Sequence, residues 1–144
     1  MIVDTSALVA IAFEEPGWKQ ISLLMVASNQ IVISAANYVE LFMVIGGRNR
    51  PELTSKVSRL LADADIEVVS FTHSQAVLAR DAFLRYGRGS GSQARLNFGD
   101  CFAYALAKET GEPLLYVGND FTHTDIIPAL DPPIPPSPQH AAGG

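Results

Sequence analysis

The sequence has little cysteine and little histidine. It contains one cysteine, Cys101, and three histidines in 144 residues. A single cysteine excludes an internal disulfide and a cysteine cluster for zinc, and so few histidines disfavour histidine-dependent RNA cleavage. No cationic neighbour in the sequence would activate the thiol of Cys101, so we expect this residue to lie in the core.

Long apolar runs are also missing. No run reaches the roughly 18–20 residues that a membrane-spanning helix needs. The start of the chain has no basic segment ahead of an apolar one, as a signal peptide would. Together with the scarce cysteine, this predicts a cytoplasmic protein that does not enter a membrane.

Basic residues are few, 10 against 15 acidic ones, and the net charge of −5 disfavours a nucleic-acid partner weakly. The bases are unevenly spread, because eight of them lie in residues 48–95. A basic middle between two acidic ends suits a polyanion held beside an acidic pocket that binds metal. Ordinary solvated helix faces would give the same distribution, and both interpretations stay open.

The apolar content of 48% and the charged content of 17% are typical of a globular domain with room for a core. Short β-branched segments alternate with helix-forming segments, which predicts an α/β fold with a parallel sheet and right-handed crossovers. The predicted strands are 2–3, 31–33, 66–69 and 114–117, and the predicted helices are 6–13, 18–27, 35–45, 52–64, 73–86 and 100–108. We expect one domain over residues 1–130 and a proline-rich, flexible tail over 131–144.

Two acidic residues follow predicted strands directly. Asp4 comes after Ile2-Val3, and Asp120 follows the fourth strand. The carboxyl ends of parallel strands lie along one edge of a sheet, where ligands bind. If the first and fourth strands are neighbours, Asp4 and Asp120 meet at that edge. The alternative for Asp4 is that it only caps the helix that follows.

Two more acids lie on predicted helices. Asp100 is in the first turn of the last helix, where the helix dipole alone would favour it. It reaches the edge with Asp4 only if the loop before it does. Glu40 interrupts an otherwise apolar helix. It lies either on a solvent-facing stripe with Asn37 or in a polar site, because burying an unpaired carboxylate costs several kcal/mol.

Carboxylates that converge in this way repel one another, by roughly 4 kcal/mol for a pair about 4 Å apart at an effective dielectric constant of about 20. Protonation or a divalent cation relieves the repulsion. Ligands that are all oxygens suit Mg²⁺ or Mn²⁺. Such a site activates water and neutralises charge during displacement at a phosphodiester.

The acids stand in four segments, MIVDTSALVA, SAANYVELFMVI, LNFGDCFAYALAK and PLLYVGNDFTHTDI. These segments resemble, in order and spacing, the acidic motifs of PIN-domain ribonucleases, most closely the VapC toxins of bacterial toxin–antitoxin pairs. The resemblance covers about residues 1–130. It implies a PIN-like three-layer fold, with a central, mostly parallel sheet of four to five strands flanked by helices.

The resemblance also implies roles for individual residues. Asp4 and Asp100 would be the principal metal ligands, Glu40 would complete the catalytic acids, and Asp120 would be the fourth. Many PIN proteins have T-x-D where this chain has Gly118-Asn119-Asp120, so Asp125 is a substitute for the fourth acid. The supporting residues are Ser6, Asn119 and Asp125. Independently of the resemblance, the glycine- and serine-rich segment 87–97 is either a mobile loop that moves over a substrate or a plain flexible connector. Its Arg88 and Arg95 are candidates for substrate binding.

The function that the resemblance implies is a Mg²⁺- or Mn²⁺-dependent endoribonuclease. It would be the toxin of a VapBC-type pair and would hydrolyse RNA with metal-activated water. It would form a homodimer and be inhibited by a VapB-like antitoxin. The alternatives are a catalytically silent PIN-like module that binds RNA or protein, and a housekeeping nuclease that processes RNA or DNA.

Overall fold

The computed structural model describes residues 1–138, which form four strands and six helices. No helix in this range is both long and apolar enough to cross a membrane. In chain order the elements are β1 (Ile2–Val3), α1 (Thr5–Ala12), α2 (Trp18–Ala27), β2 (Ile31–Ser34), α3 (Ala35–Gly46), α4 (Pro51–Asp63), β3 (Ile66–Val69), α5 (His73–Tyr86), α6 (Phe98–Thr110) and β4 (Leu114–Leu115).

The four strands form one parallel sheet in the order β3-β2-β1-β4. The short strand β1 pairs with β2 through Ile2 and Val32, and with β4 through Ile2 and Leu114. The first and fourth strands are therefore neighbours, which is the condition for Asp4 and Asp120 to meet at one edge. Strand β3 lies at the edge of the sheet and carries the exposed Glu67. Because all strands are parallel, their carboxyl ends share one edge of the sheet.

The sheet separates two apolar clusters, because successive side chains of a strand point to opposite faces. Val3 belongs to the cluster that includes side chains of α1, α2, α3 and α4. Ile2 belongs to the cluster formed with α5 and α6. The second cluster contains Cys101, which is 5% exposed, so its expected place in the core is confirmed. Burial raises the pKa of this thiol to about 11, and the charge of Asp100 adds to the effect.

Helix α6 begins two residues earlier than predicted because of a reciprocal cap. The Asn97 side chain accepts a hydrogen bond from the backbone N–H of Asp100, and the Asp100 carboxylate accepts one from the N–H of Asn97, both at 2.9 Å. This capping box satisfies two amides that a helix start otherwise leaves free. It fixes Asp100 in the first turn of the helix.

Residues 131–138 differ from the flexible tail that the sequence predicts. Ile134 is 6% exposed, and its carbonyl accepts a hydrogen bond from the N–H of Gly118 at 2.9 Å. Its side chain lies so close to Gly17 that a Cβ on that glycine would be 2.7 Å from Ile134 Cγ2. This stretch therefore packs on the domain. The rest of the predicted tail, 139–144, lies outside the described residues.

Candidate active site

Asp4 lies where β1 ends and α1 begins, and it is 3% exposed. Its Oδ2 accepts hydrogen bonds from the backbone N–H of Ser6 at 3.0 Å and from the Ser6 hydroxyl at 2.6 Å. Ser6 Oγ in turn accepts from the N–H of Val117, just beyond β4. Asp4 is therefore both the cap of α1 and a buried carboxylate at the edge of the sheet, oriented by Ser6.

Asp100 reaches the same edge from the first turn of α6. It is 9% exposed. Burial is the largest cause that raises the pKa of Asp100, to about 8, and the negative charge of Asp4 is the next. The charges of Asp120 and Glu40 raise it further, while the hydrogen bond from the N–H of Asn97 opposes the rise. The loop before α6 thus brings Asp100 beside the other acids.

Glu40 does not lie on a solvent-facing stripe, and that alternative is wrong. Asn37, its expected companion on such a stripe, is fully buried. The Asn37 amide Nδ2 donates to Glu40 Oε1 at 3.2 Å and to the Gly99 carbonyl at 2.9 Å. The half-buried Glu40 therefore faces the first turn of α6, next to Asp100.

The same cluster changes the pKa of Asp4. Burial raises the pKa of Asp4 to about 6, and the charge of Glu40 contributes to the rise. The hydrogen bonds from Ser6 lower it, but they do not compensate for burial. Near neutral pH the two buried aspartates are therefore in a region of excess negative charge, which favours a cation or a proton.

Asp120 lies half-buried in the loop after β4, close enough for its charge to raise the pKa of Asp100. Burial raises the pKa of Asp120 itself, and the guanidinium groups of Arg88 and Arg95 lower it. Both arginines are exposed in the segment 87–97. Arg88 Nε donates to the Arg95 carbonyl at 3.4 Å, and the N–H of Arg88 donates to the Leu96 carbonyl at 3.1 Å. The segment therefore closes on itself and presents both cations beside Asp120.

Asp125 has other partners. Its carboxylate accepts hydrogen bonds from the Tyr104 hydroxyl at 2.7 Å and from Lys108 Nζ at 2.9 Å. Burial tends to raise the pKa of Asp125, but these bonds outweigh burial and lower it. Asp125 is therefore held by two side chains of α6, whereas the charge of Asp120 acts on Asp100. Asn119 lies exposed in the turn beside Asp120, and its carbonyl accepts from the N–H of Thr122.

Sequence reasoning missed Gly99 and gave Asn37 no role in the site. A Cβ on Gly99 would overlap the Glu40 carboxylate, so only glycine leaves room for Glu40 at this point of α6. The available signals were an asparagine three residues before a glutamate in an apolar helix and a glycine directly before Asp100. Neither signal identifies its partner without the fold.

The donor set fits a small divalent cation. Within residues 1–138, no three histidine, cysteine, aspartate or glutamate side chains are arranged to hold a metal ion by themselves. Mg²⁺ and Mn²⁺ do not need such an arrangement, because one or two carboxylates and several waters commonly suffice. Asp4 and Asp100 supply two buried carboxylates, and burial and the charges of neighbouring acids raise the pKa of each.

The sequence model of the PIN domain matches residues 1–127. The chain belongs to the PIN domain family. Ribonuclease VapC42 of Mycobacterium tuberculosis is 52% identical over 129 residues, which are 90% of this chain and 98% of that protein. This PIN domain is therefore that of a VapC ribonuclease. The protein is an endoribonuclease and hence a hydrolase.

Solved structures show the same PIN fold. The crystal structure of VapC20 from Mycobacterium tuberculosis, described as a sarcin-ricin loop cleaving toxin, has a TM-score of 0.71 at 15% identity. The match covers 88% of this chain and 95% of that one. VapBC2 from Rickettsia felis, bound to a DNA fragment from its promoter, has a TM-score of 0.65 at 18% identity, over 88% and 94% of the two chains. The predicted three-layer α/β fold is thus confirmed.

Proposed function

We propose that this VapC-family ribonuclease is the toxin of a VapBC-type pair and cuts RNA internally with Mg²⁺ or Mn²⁺ held by Asp4 and Asp100. One observation carries the proposal. Asp4 from β1, Asp100 from α6 and Glu40 from α3 converge at the carboxyl edge of the sheet, and two of them are buried with raised pKa values. Such a group is unfavourable for the fold by itself and favourable for binding a cation.

Each residue has a task in this proposal. A bound divalent ion would supply positive charge against the phosphodiester and make a water molecule a better nucleophile. Asp4 and Asp100 hold that ion, and the two hydrogen bonds from Ser6 orient the Asp4 carboxylate. Glu40 completes the acidic group beside Asp100.

Asp120 and the two arginines lie on the more exposed side of the group. Asp120 is the fourth acid, and its charge acts on Asp100. Arg88 and Arg95 contact phosphates of the RNA next to the scissile bond, since guanidinium groups bind phosphate oxygens well. Their exposed position next to Asp120 supports this role. Asn119, exposed in the same turn, supports the position of Asp120.

The partners follow from the same proposal. RNA is the substrate, and a VapB-like antitoxin and a second copy of the chain are the protein partners. The structure of VapBC2 from Rickettsia felis, in which the matching chain has the same fold, supports a VapB-like antitoxin as a partner. We expect these encounters in the cytoplasm, as the scarce cysteine of the sequence suggests.

The test is cleavage of a mixed RNA pool by the purified, antitoxin-free protein. The reactions contain Mg²⁺, Mn²⁺ or EDTA, and the variants are Asp4→Ala and the control Asp81→Ala, which removes an exposed carboxylate of α5. We expect metal-dependent cutting by the wild-type protein and by Asp81→Ala, and none by Asp4→Ala. Cleavage that persists in EDTA or in folded Asp4→Ala contradicts the proposal. No cleavage and no metal binding by folded wild-type protein favours a catalytically silent module.

A further inference from the structure

The side chain of Asn37 connects two elements of the acidic site. Asn37 is fully buried on α3, and its single Nδ2 group donates to Glu40 Oε1 at 3.2 Å and to the Gly99 carbonyl at 2.9 Å. The reversed amide would place its oxygen against these two oxygens, so only this orientation is chemically sound. Asn37 therefore joins Glu40 to the first turn of α6, directly before Asp100.

This arrangement leaves part of Asn37 without a partner. Its Oδ1 is buried and accepts no hydrogen bond within the described residues. A buried acceptor without a partner is unfavourable for stability, and such exceptions in folded proteins call for an explanation. An apolar side chain of the same size would avoid that penalty but would leave Glu40 without its donor.

Gly99 leaves free the space that the Glu40 carboxylate occupies when it accepts the hydrogen bond from Asn37. A Cβ at this position would overlap Glu40 Oε2 and also approach Oε1 to 2.8 Å. Gly99 lies inside α6 and is not among the glycines with positive φ, so backbone freedom is not the reason for a glycine. The reason is the close approach of the Glu40 carboxylate to the helix.

We propose that Asn37 and Gly99 are positioning residues of the nuclease site: Asn37 holds the Glu40 carboxylate against the first turn of α6, and Gly99 makes room for it beside Asp100. The inference rests on the proposed function, because that function gives Glu40 its place among the acids. Neither residue touches the substrate. Both act through Glu40.

The experiment compares Asn37→Leu, which keeps the volume and removes the hydrogen bonds, with Gly99→Ala, which displaces Glu40 while Asn37 stays. The readouts are kcat and KM on one RNA that the wild-type protein cleaves, and Mn²⁺ affinity by calorimetry. We expect each variant to lower kcat about 10–100-fold and to lower the affinity for Mn²⁺, because residues that orient the groups around a metal typically have effects of this size. KM should stay within about twofold of the wild-type value. In a Glu40→Ala background, neither change should lower kcat further, since the residue through which both act is gone.

The matched control is Gln75→Leu. Gln75 is also a buried amide, its oxygen has no hydrogen-bond partner among residues 1–138, and its Nε2 donates to Glu109 on the outer side of α6. The Gln75→Leu variant should show the same change in stability as the loss of a buried amide in Asn37→Leu. It should keep the kcat and the Mn²⁺ affinity of the wild-type protein. The inference would be overturned if the control lost as much activity as Asn37→Leu. It would also be overturned if the losses were additive in the Glu40→Ala background.

The failure of the inference is separable from that of the proposed function. If wild-type protein neither cleaves RNA nor binds Mn²⁺, the proposed function fails. Crystal structures of Asn37→Leu and Gly99→Ala then decide the inference, because Glu40 must leave the first turn of α6 in both. A Glu40 carboxylate that stays in place contradicts it. If Asn37→Leu does not fold, by circular dichroism, Gly99→Ala gives the same readouts.

Discussion

Two groups of carboxylates in this protein differ in what surrounds them. Asp4 and Asp100 are buried next to other acids, and the pKa of each is raised. Glu109 and Asp125, on the outer side of α6 and in the loop beyond β4, accept hydrogen bonds from neighbouring side chains, and the pKa of each is lowered. The outer acids stabilise the ionised fold, whereas the buried acids are a cost to it near neutral pH. Acids that a fold keeps despite such a cost are candidates for chemistry.

The largest difference between the groups should be in activity. Asp100→Asn preserves the capping acceptor and removes the charge, and we expect the cleavage rate to fall by about 1,000-fold or more, because the proposed metal ligand is lost. Glu109→Gln makes the same chemical change in the outer group and should leave the rate within about twofold. Single-turnover cleavage of labelled RNA measures both. Equal losses of cleavage rate in the two variants would show that the buried acids are no more important for activity than the outer acids.

The second difference should be in stability, where removing a buried charge should stabilise the protein. The folded pKa of Asp4 is about 6, against an ordinary value of 3.8. Below pH 3.8 the group is neutral in both states, and its cost to the fold grows as the pH rises to about 6 and then stays constant. Asp4→Asn should therefore increase the free energy of unfolding of metal-free protein at pH 8 by up to about 3 kcal/mol, at roughly 1.4 kcal/mol per pKa unit.

Urea unfolding in EDTA at pH 4 and pH 8 measures this gain. The gain should be present at pH 8 and nearly absent at pH 4. The matched outer variant, Glu109→Gln, should show no gain at either pH. An Asp4→Asn protein that is less stable than wild type at pH 8 would mean that its hydrogen bonds with Ser6 matter more than its buried charge.

A smaller effect, on KM, is expected from Arg88 and Arg95, which form the exposed rim of the buried acidic group. Arg88→Ala and Arg95→Ala should each raise KM for RNA about threefold to tenfold and weaken its dependence on salt, because each removes one of the proposed phosphate contacts. Arg80→Ala, on the exposed side of α5 where it pairs with Asp81, is the control and should change neither. Steady-state cleavage at two salt concentrations measures the effect. Unchanged KM in both rim variants would remove the arginines from the substrate site.

The smallest effect is expected from Asp125. The folded pKa is lowered, so its contribution to stability is present above the ordinary pKa near 4 and disappears as the pH falls. Because the pair with Lys108 is partly exposed, with side chains 37% and 39% accessible, Asp125→Asn should cost about 0.5 kcal/mol at pH 7. Thermal unfolding at pH 7 and pH 3 measures it, and a loss that is equal at both pH values would contradict the assignment.

Much of the fold was predictable from the sequence. The bounds of β3 and α5 agree with the pattern of apolar residues, and the place of β1 in the middle of the sheet follows from two buried β-branched residues at the start of the chain. Asp4 was predictable for the same reason, because a residue that follows a buried parallel strand must lie at its carboxyl edge.

The rest depends on contacts between distant parts of the chain. Glu40 had two interpretations, and only its contact with the first turn of α6, 59 positions further along the chain at Gly99, decides between them. Asp100 reaches the site because Asn97 starts the helix at the right place. Asp125 binds Tyr104 and Lys108, two contacts with α6 that its position in the sequence does not reveal. Local patterns do not encode such pairings.

The buried Ile134 has a consequence for anyone who shortens this protein. The proline-rich sequence after residue 130 suggests a natural place to cut the chain or to attach a fusion partner. A cut there would remove the side chain that covers Gly17, and would leave the N–H of Gly118, two residues before Asp120, without its acceptor. Shortened versions should therefore retain residue 138, and a tag attached directly at residue 130 would disturb the loop that carries Asp120.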